Sequence, residues 1–294
     1  MYSGTDYTWW YDSQEDKNFL LWDHLDSYND ISLVDLKYFS IWLQWADDWY
    51  DPSYDLAMDW CDENGTVILT TVYGLNPNQV LEFFDGSPWL DGDYKLRIWW
   101  RSELPTQDLE IKVLFKYTLN ADNPNSEYSV ENLSDEKHMY GHVIGGNVIS
   151  VAATDWQDLT SVESFSSHGP AVVFTGLGTE ERQHPKITAT DGVSTYVWGV
   201  LDGKPFYGTS ASAPHIAGVA AQYFTLFPND SYSEFLFHLK SSASPFDGGD
   251  PNNWSPKSGY GLADSYGTID HKYNSSEVNI RQLDKNDIIF GEAE

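Results

Sequence analysis

The stretch FYGTSASAPHIAGVAAQYF, residues 206–224, decides how the second half of this 294-residue chain folds. Its apolar residues are mostly small, so a helix built from it lets neighbouring backbone come within contact distance. The pattern predicts a helix starting at or just after Ser210, with Pro214 in the first turn, where a missing N–H is harmless. A serine at that end sits among free backbone N–H groups, at the positive end of the helix dipole. Such a place stabilises negative charge, as attack on a carbonyl requires.

Working outward, the same texture continues on both sides. NVISVAAT (147–154) is a short apolar run suited to a strand buried on both faces of a parallel sheet. FSSHGPAVVF (165–174) and KITATDGVSTYVWG (186–199) read as further strand-and-turn pieces. DSYSEFLFHLKSSA (230–243) predicts a second helix capped by Asp230 or Ser231. This half reads as α/β.

The first half has another character. KYFSIWLQW (37–45) alternates, placing Phe39, Ile41, Leu43 and Trp45 on one face. YDLAMDW, DENG and TVILTTVY (54–73) read as two strands joined by a turn at Asn64-Gly65. GDYKLRIWWRS (92–102) and LEIKVLFKYT (109–118) add further short strands, so an antiparallel β-sandwich is expected. Ten of the thirteen tryptophans fall within the first 100 residues. They can serve as sandwich core and strand-pair packing or as a stacking platform for a sugar or peptide, and packing is the commoner use. The expected division is therefore an unassigned segment 1–16, a sandwich over 17–118 and a polar connection over 119–140. An α/β half over 141–269 and a tail over 270–294 complete it.

Composition narrows the function. There are 45 acidic and 16 basic residues, a formal charge of −29, so nucleic acid and anionic membrane surfaces are poor partners. The single cysteine, Cys61, excludes an internal disulfide framework and multi-cysteine metal sites, and its strand context reads as packing. No apolar run approaches a membrane span, and the first residues lack the basic-then-apolar pattern of a secretory signal.

With these pieces in place, GTSASAPHIAG (208–218) resembles the nucleophile motif of the subtilisin family of serine peptidases, Gly-Thr-Ser-x-Ala-x-Pro-His-Val-Ala-Gly. NVISVAATD, FSSHGP, HPKITATDGVST and SGYGLADSYGTI (258–269) resemble, in the right order, the segments that flank that motif in the family. IWLQWADDWYDPSYDLAMDWCDENGTVI (41–68) resembles the jelly-roll-like β domain that some members carry as an insertion or appendage. The resemblance implies a partial subtilisin-like parallel sheet with helices, behind an N-terminal jelly-roll-like sandwich. It implies that Ser210 is the nucleophile of an endopeptidase acting on protein or peptide substrates, and that its backbone N–H serves the oxyanion hole. His215 matches a structural position of the family with a packing role, not its base; His168 falls at a variable position and reads as structural or surface, and Thr190 stands where proline is usual. An extracellular location and bound calcium are compatible with the resemblance, with no calcium site assignable.

Departures from the family pattern matter as much. Its aspartate motif, D-[ST]-G after a strand, and its base motif, HGTHVAG, are absent. None of the eight histidines has the base's setting, and Asn147 does not take the oxyanion asparagine's place. A serine without its base is a weak nucleophile, because its hydroxyl must lose a proton as it attacks. The expectation is thus the C-terminal portion of a subtilisin-like peptidase, inactive alone and completed by a missing N-terminal portion. The other function class weighed is a non-catalytic binding protein that recognises polymer or surface through the Trp-rich sandwich.

Overall fold

The computed structural model describes residues 2–4, 8–15, 17–22, 27–49, 51–70, 80–85, 91–100, 109–120, 122–131, 137–176, 178–196, 204–246 and 253–275. In chain order the strands begin with β1 (Tyr2–Gly4), β2 (Thr8–Asp12), β3 (Lys17–Leu21), β4 (Asn29–Val34) and β5 (Leu36–Trp45). Next come β6 (Leu56–Asp62), β7 (Val67–Thr70), β8 (Leu81–Asp85), β9 (Gly92–Trp100), β10 (Ile111–Leu119) and β11 (Glu127–Val130). The later strands are β12 (Val151–Asp155), β13 (Ala171–Thr175), β14 (Gly178–Arg182) and β15 (Ile187–Asp191). Three helices follow: α1 (Thr209–Leu226), α2 (Tyr232–Ser242) and α3 (Ser265–Ser275). The chain divides into two compact units, residues 1–144 with 168–182, and residues 145–167 with 183–294.

In the first unit β1, β10, β5 and β8 form one antiparallel sheet. A second antiparallel sheet runs β11-β4-β9-β3-β2, with β6 also on β9 and β7 on β6. The alternation read in β5 is realised: Phe39, Ile41, Leu43 and Trp45 are all buried. They share one apolar core with Ile111 and Val113 of β10 and with Ile31, Met58, Trp60, Leu96 and Ile98 of the other sheet. Trp60 sits in the middle, its ring centroid 5.8 Å from Phe39 and 4.8 Å from Phe84. Burying side chains of this size stabilises by roughly 2–3 kcal/mol each. Trp22, Trp45, Trp60 and Trp100 are consumed in this way and offer no face to a ligand. The β6–β7 turn is closed by Asp62 Oδ1, which accepts the N–H of Asn64 and of Thr66. Cys61 is buried, and burial pushes its thiol up to about 11, so it packs as a small hydrophobe and stays unreactive.

Several elements fall outside the expected boundaries. β1 and β2, within the unassigned 1–16, pair with β10 and β3. β11, within the expected connection, pairs with β4. The β13–β14 hairpin groups with the first unit rather than with the α/β half, and Lys112 Nζ of β10 donates to Val172 O at 2.7 Å. Helix α3 runs past 269 to Ser275. For β1 and β11, pairing between strands about a hundred residues apart leaves no local trace for a periodicity argument to find. Residues 71–73 of the expected second hairpin strand, His24 and the tail beyond 275 lie outside the described residues.

The second unit puts helices on a parallel strand pair. β12 and β15 run side by side in register from Val151↔Ile187 to Asp155↔Asp191. Ile187 and Ala189 of β15 pack with Ile216 and Tyr223 of α1, Phe235 and Leu239 of α2, and Ile269 of α3. Of the two candidate caps for α2, Ser231 is the one used: its hydroxyl accepts the Glu234 N–H while Glu234 accepts the Ser231 N–H.

Candidate active site

Asp155 and Asp191 end the two parallel strands side by side, at the carboxyl edge where open α/β sheets bind ligands. Ile187, Ala189 and Asp191 lie on one face of β15 by alternation, so the carboxylate of Asp191 meets the start of α1. The chain then turns at Gly192, whose φ is 68°. A Cβ there would lie 2.7 Å from the Tyr207 ring and 3.2 Å from that of Trp156, so only glycine fits between them.

The approach to the helix is fixed by a second glycine. Gly208 adopts φ 121°, a backbone region closed to ordinary side chains. Its N–H donates to Asp191 Oδ2 at 2.7 Å. Its carbonyl accepts the N–H groups of Ala211 (2.8 Å) and Ser212 (3.3 Å), which opens the helix at Thr209. Ser210 is the second helical residue and its side chain is exposed. The N–H groups of Thr209 and Ser210 precede the first intrahelical bond and point out of the helix end. Gly208, Asp191 and the helix start therefore set Ser210 in the first turn, where the backbone N–H groups are free of intrahelical partners.

Two readings of this segment need correction. Because the helix starts at Thr209, Pro214 is its sixth residue and lies inside it. The proline has no N–H to offer the Ser210 carbonyl, which therefore lacks its ordinary i+4 donor. His215 is exposed and folds back on its own helix, Nδ1 lying 2.9 Å from Ala211 O; it is not packed inside.

Electrostatically the flank of Ser210 is anionic. Asp191 is fully buried, and its Oδ1 accepts no hydrogen bond from a described residue. Glu163, whose own N–H is tied to Ala153 O, is held above the usual carboxylate range by burial and by the charges of Asp191, Asp155 and Asp158. The helix dipole offsets part of this negative charge by about 0.3–1 kcal/mol. Sequence reasoning assigned no role to Asp191, which falls within the strand-and-turn piece 186–199. A signal was present: an acid directly before glycine at the carboxyl end of a buried strand.

No hydrogen bond from a described histidine reaches Ser210. His138 and His168 stack with centroids 6.0 Å apart. His184 is fully buried with Nδ1 2.6 Å from the Ser150 hydroxyl. His142 lies in a short 3₁₀ turn, Gly141–Ile144, and His238 contacts His271. Asn147 lies in a turn ahead of β12. Calcium finds no ready cage: no group of three or more His, Cys, Asp or Glu among the described residues is placed to hold a metal ion.

Three known families or proteins resemble this chain. The model of the subtilase family matches residues 118–265. Fervidolysin of Fervidobacterium pennivorans is 33% identical over 145 residues, which are 45% of this chain and 19% of that protein. The structure of the CspB protease of Clostridium perfringens aligns with a TM-score of 0.54 at 16% identity, over 86% of this chain and 56% of that one. The structural likeness thus reaches well beyond 118–265, and this chain spans less than two thirds of the length of either protein.

Proposed function

This chain belongs to the subtilase family, and from that membership we propose that Ser210 is the nucleophile of a serine endopeptidase, carried on a portion of the enzyme that lacks its general base. The observation that carries the reading is the held start of α1. Asp191 fixes Gly208, Gly208 fixes the first turn, and Ser210 projects from it beside two free N–H groups. In acyl transfer the Ser210 hydroxyl attacks the peptide carbonyl, and the Ser210 N–H supplies one donor to the developing oxyanion. The proton leaving the hydroxyl goes to a base that the described residues do not supply, since no described histidine is placed to take it.

A second observation supports an enzyme in portions. The outward face of α1 exposes Ala213, Pro214, Ala217, Gly218 and Ala221 beside the polar Ser210, His215 and Thr225, so most of it is small or apolar. In this reading the complementary portion covers that face and brings the aspartate and histidine to Ser210. The two-sheet unit is then the jelly-roll-like insertion, and its substrates are proteins or peptides. Action outside the cell accords with the reading, and no helix among the described residues is long and apolar enough to cross a membrane.

A fluorophosphonate probe tests the proposal. The chain alone should remain unlabelled, and supplying the Asp- and His-bearing portion of a subtilase, fused or in trans, should bring labelling that Ser210→Ala abolishes. Labelling of the chain alone that depends on Ser210 would mean that a histidine within it acts as base. Labelling that survives Ser210→Ala would remove the nucleophile assignment.

A further inference from the structure

On the far part of the helical unit, His238 of α2 and His271 of α3 face each other with their Nδ1 atoms 2.8 Å apart. His238 is 5% exposed, and His271 is half-buried. Aromatic rings wall the pair: Tyr223 stacks on His238 at 6.0 Å, and Phe237 meets His238 edge-on at 5.2 Å and His271 at 5.7 Å. Two imidazole nitrogens this close cannot both carry a proton. As neutral rings, one must donate to the other, or both must turn their lone pairs to a shared cation.

We propose that His238 and His271 form a two-histidine clasp for a divalent transition-metal ion, bridging α2 and α3. Two nitrogens bound at about 2.0–2.1 Å stand about 2.9 Å apart at a right-angled coordination and about 3.3 Å apart at a tetrahedral one. The observed 2.8 Å is therefore within a few tenths of an ångström of a ligand pair, and a small shift between the two helices completes it. Imidazole nitrogen selects zinc, nickel or copper over calcium and magnesium, which prefer oxygen.

The surrounding charges allow a cation to enter. Lys272, the neighbouring cation, is engaged by Asp230 at 2.8 Å and by Glu234 at 3.9 Å. Asp230 also accepts the Tyr223 hydroxyl at 2.5 Å, so the acid, the lysine and the tyrosine form one network beside the histidines. No third His, Cys, Asp or Glu among the described residues completes the set, so water fills the remaining positions and the ion exchanges freely. A clasp of this kind ties two helices of one core together while bound and releases them when the metal leaves.

Calorimetric titration of the metal-free full chain with zinc chloride, with cobalt chloride as an absorbing probe, tests the proposal. One saturable equivalent and a rise in Tm are expected. His271→Ala, at the half-exposed partner, and His238→Ala should each weaken binding at least tenfold, while His215→Ala should leave it unchanged. Circular dichroism identical to wild type for His271→Ala separates lost ligation from lost folding. Absence of saturable zinc binding, or binding that persists in His271→Ala, would leave the pair as a hydrogen bond alone and overturn the proposal.

Discussion

Gly208 and Asp191 show how much of a site can rest on one backbone bond. The Gly208 N–H and Asp191 Oδ2 are 2.7 Å apart, and Asp191 is fully buried. Asp191→Ala leaves that N–H without its acceptor and should destabilise by about 1–3 kcal/mol. Asp191→Asn keeps an acceptor oxygen and should cost less. Denaturant unfolding gives the first comparison, and faster amide exchange over residues 208–212 in the alanine variant alone locates it. Equal effects in both variants would assign the role to the charge instead. In the first unit Arg97 plays a comparable part, 4% exposed, with one guanidinium nitrogen 2.9 Å from Asp59 and the other 2.9 Å from Glu15. Asp59 is wholly buried and also accepts Trp99 Nε1 and the Thr70 hydroxyl. Arg97→Met strands that carboxylate and should cost about 3–5 kcal/mol in urea unfolding. Lys17, 3.8 Å from Asp59, softens the loss towards the lower figure.

At the scale of elements, the β13–β14 hairpin is pinned to β10 by Lys112. Its ammonium donates to Val172 O and lies 5.5 Å from the Phe174 ring centroid. Burial, aided by Lys137, pulls this lysine from 10.5 down to about 8. A base with a lowered folded pKa binds fewer protons folded than unfolded between those two values, so stability rises with pH across that window. The charge cost is fully present below about 8 and gone above 10.5. Comparing wild type with Lys112→Met by denaturant unfolding from pH 7 to above 10 isolates the effect from other titrating groups. The stability of wild type relative to the variant should rise over that range, by about 3 kcal/mol at most. A gap that does not change with pH would mean the lysine stays charged throughout. Helix α2 depends on a different device, the reciprocal Ser231–Glu234 cap. Ser231→Ala should cost about 0.5–2 kcal/mol, read as a lower Tm of the helical unit.

For the whole molecule, two compact units with separate apolar cores imply two unfolding events. The first unit closes its core between two antiparallel sheets. The second sets three helices on a parallel pair of strands and leaves the small-residue face of α1 exposed. Calorimetry of the full chain should show the helical unit melting first. Near-ultraviolet signals from the buried tryptophans Trp22, Trp45 and Trp60 should be lost in the later transition. A single cooperative transition, coincident by both measurements, would show that the units unfold as one. Adding the complementary subtilase portion should raise the lower transition, because a partner that binds only the folded unit stabilises it.

What the sequence determined by itself is what short spacing encodes. The small-residue run marked the helix that carries Ser210, alternation gave the buried face of β5, and Asp230-Ser231 marked the start of α2 without choosing between the two as cap. Each depends on residues within a few positions of one another, where backbone geometry dictates which side chains share a face. The tertiary structure alone decided the rest. It placed β1 on β10, with Tyr2 opposite Val113, and β11 on β4. It brought Asp191 under Gly208 across 17 positions of chain, and His238 to His271 across 33. Such meetings follow from how whole layers pack and from strand pairing across long loops, whose closure entropy rises only slowly with length, so chain separation itself gives no sign of them.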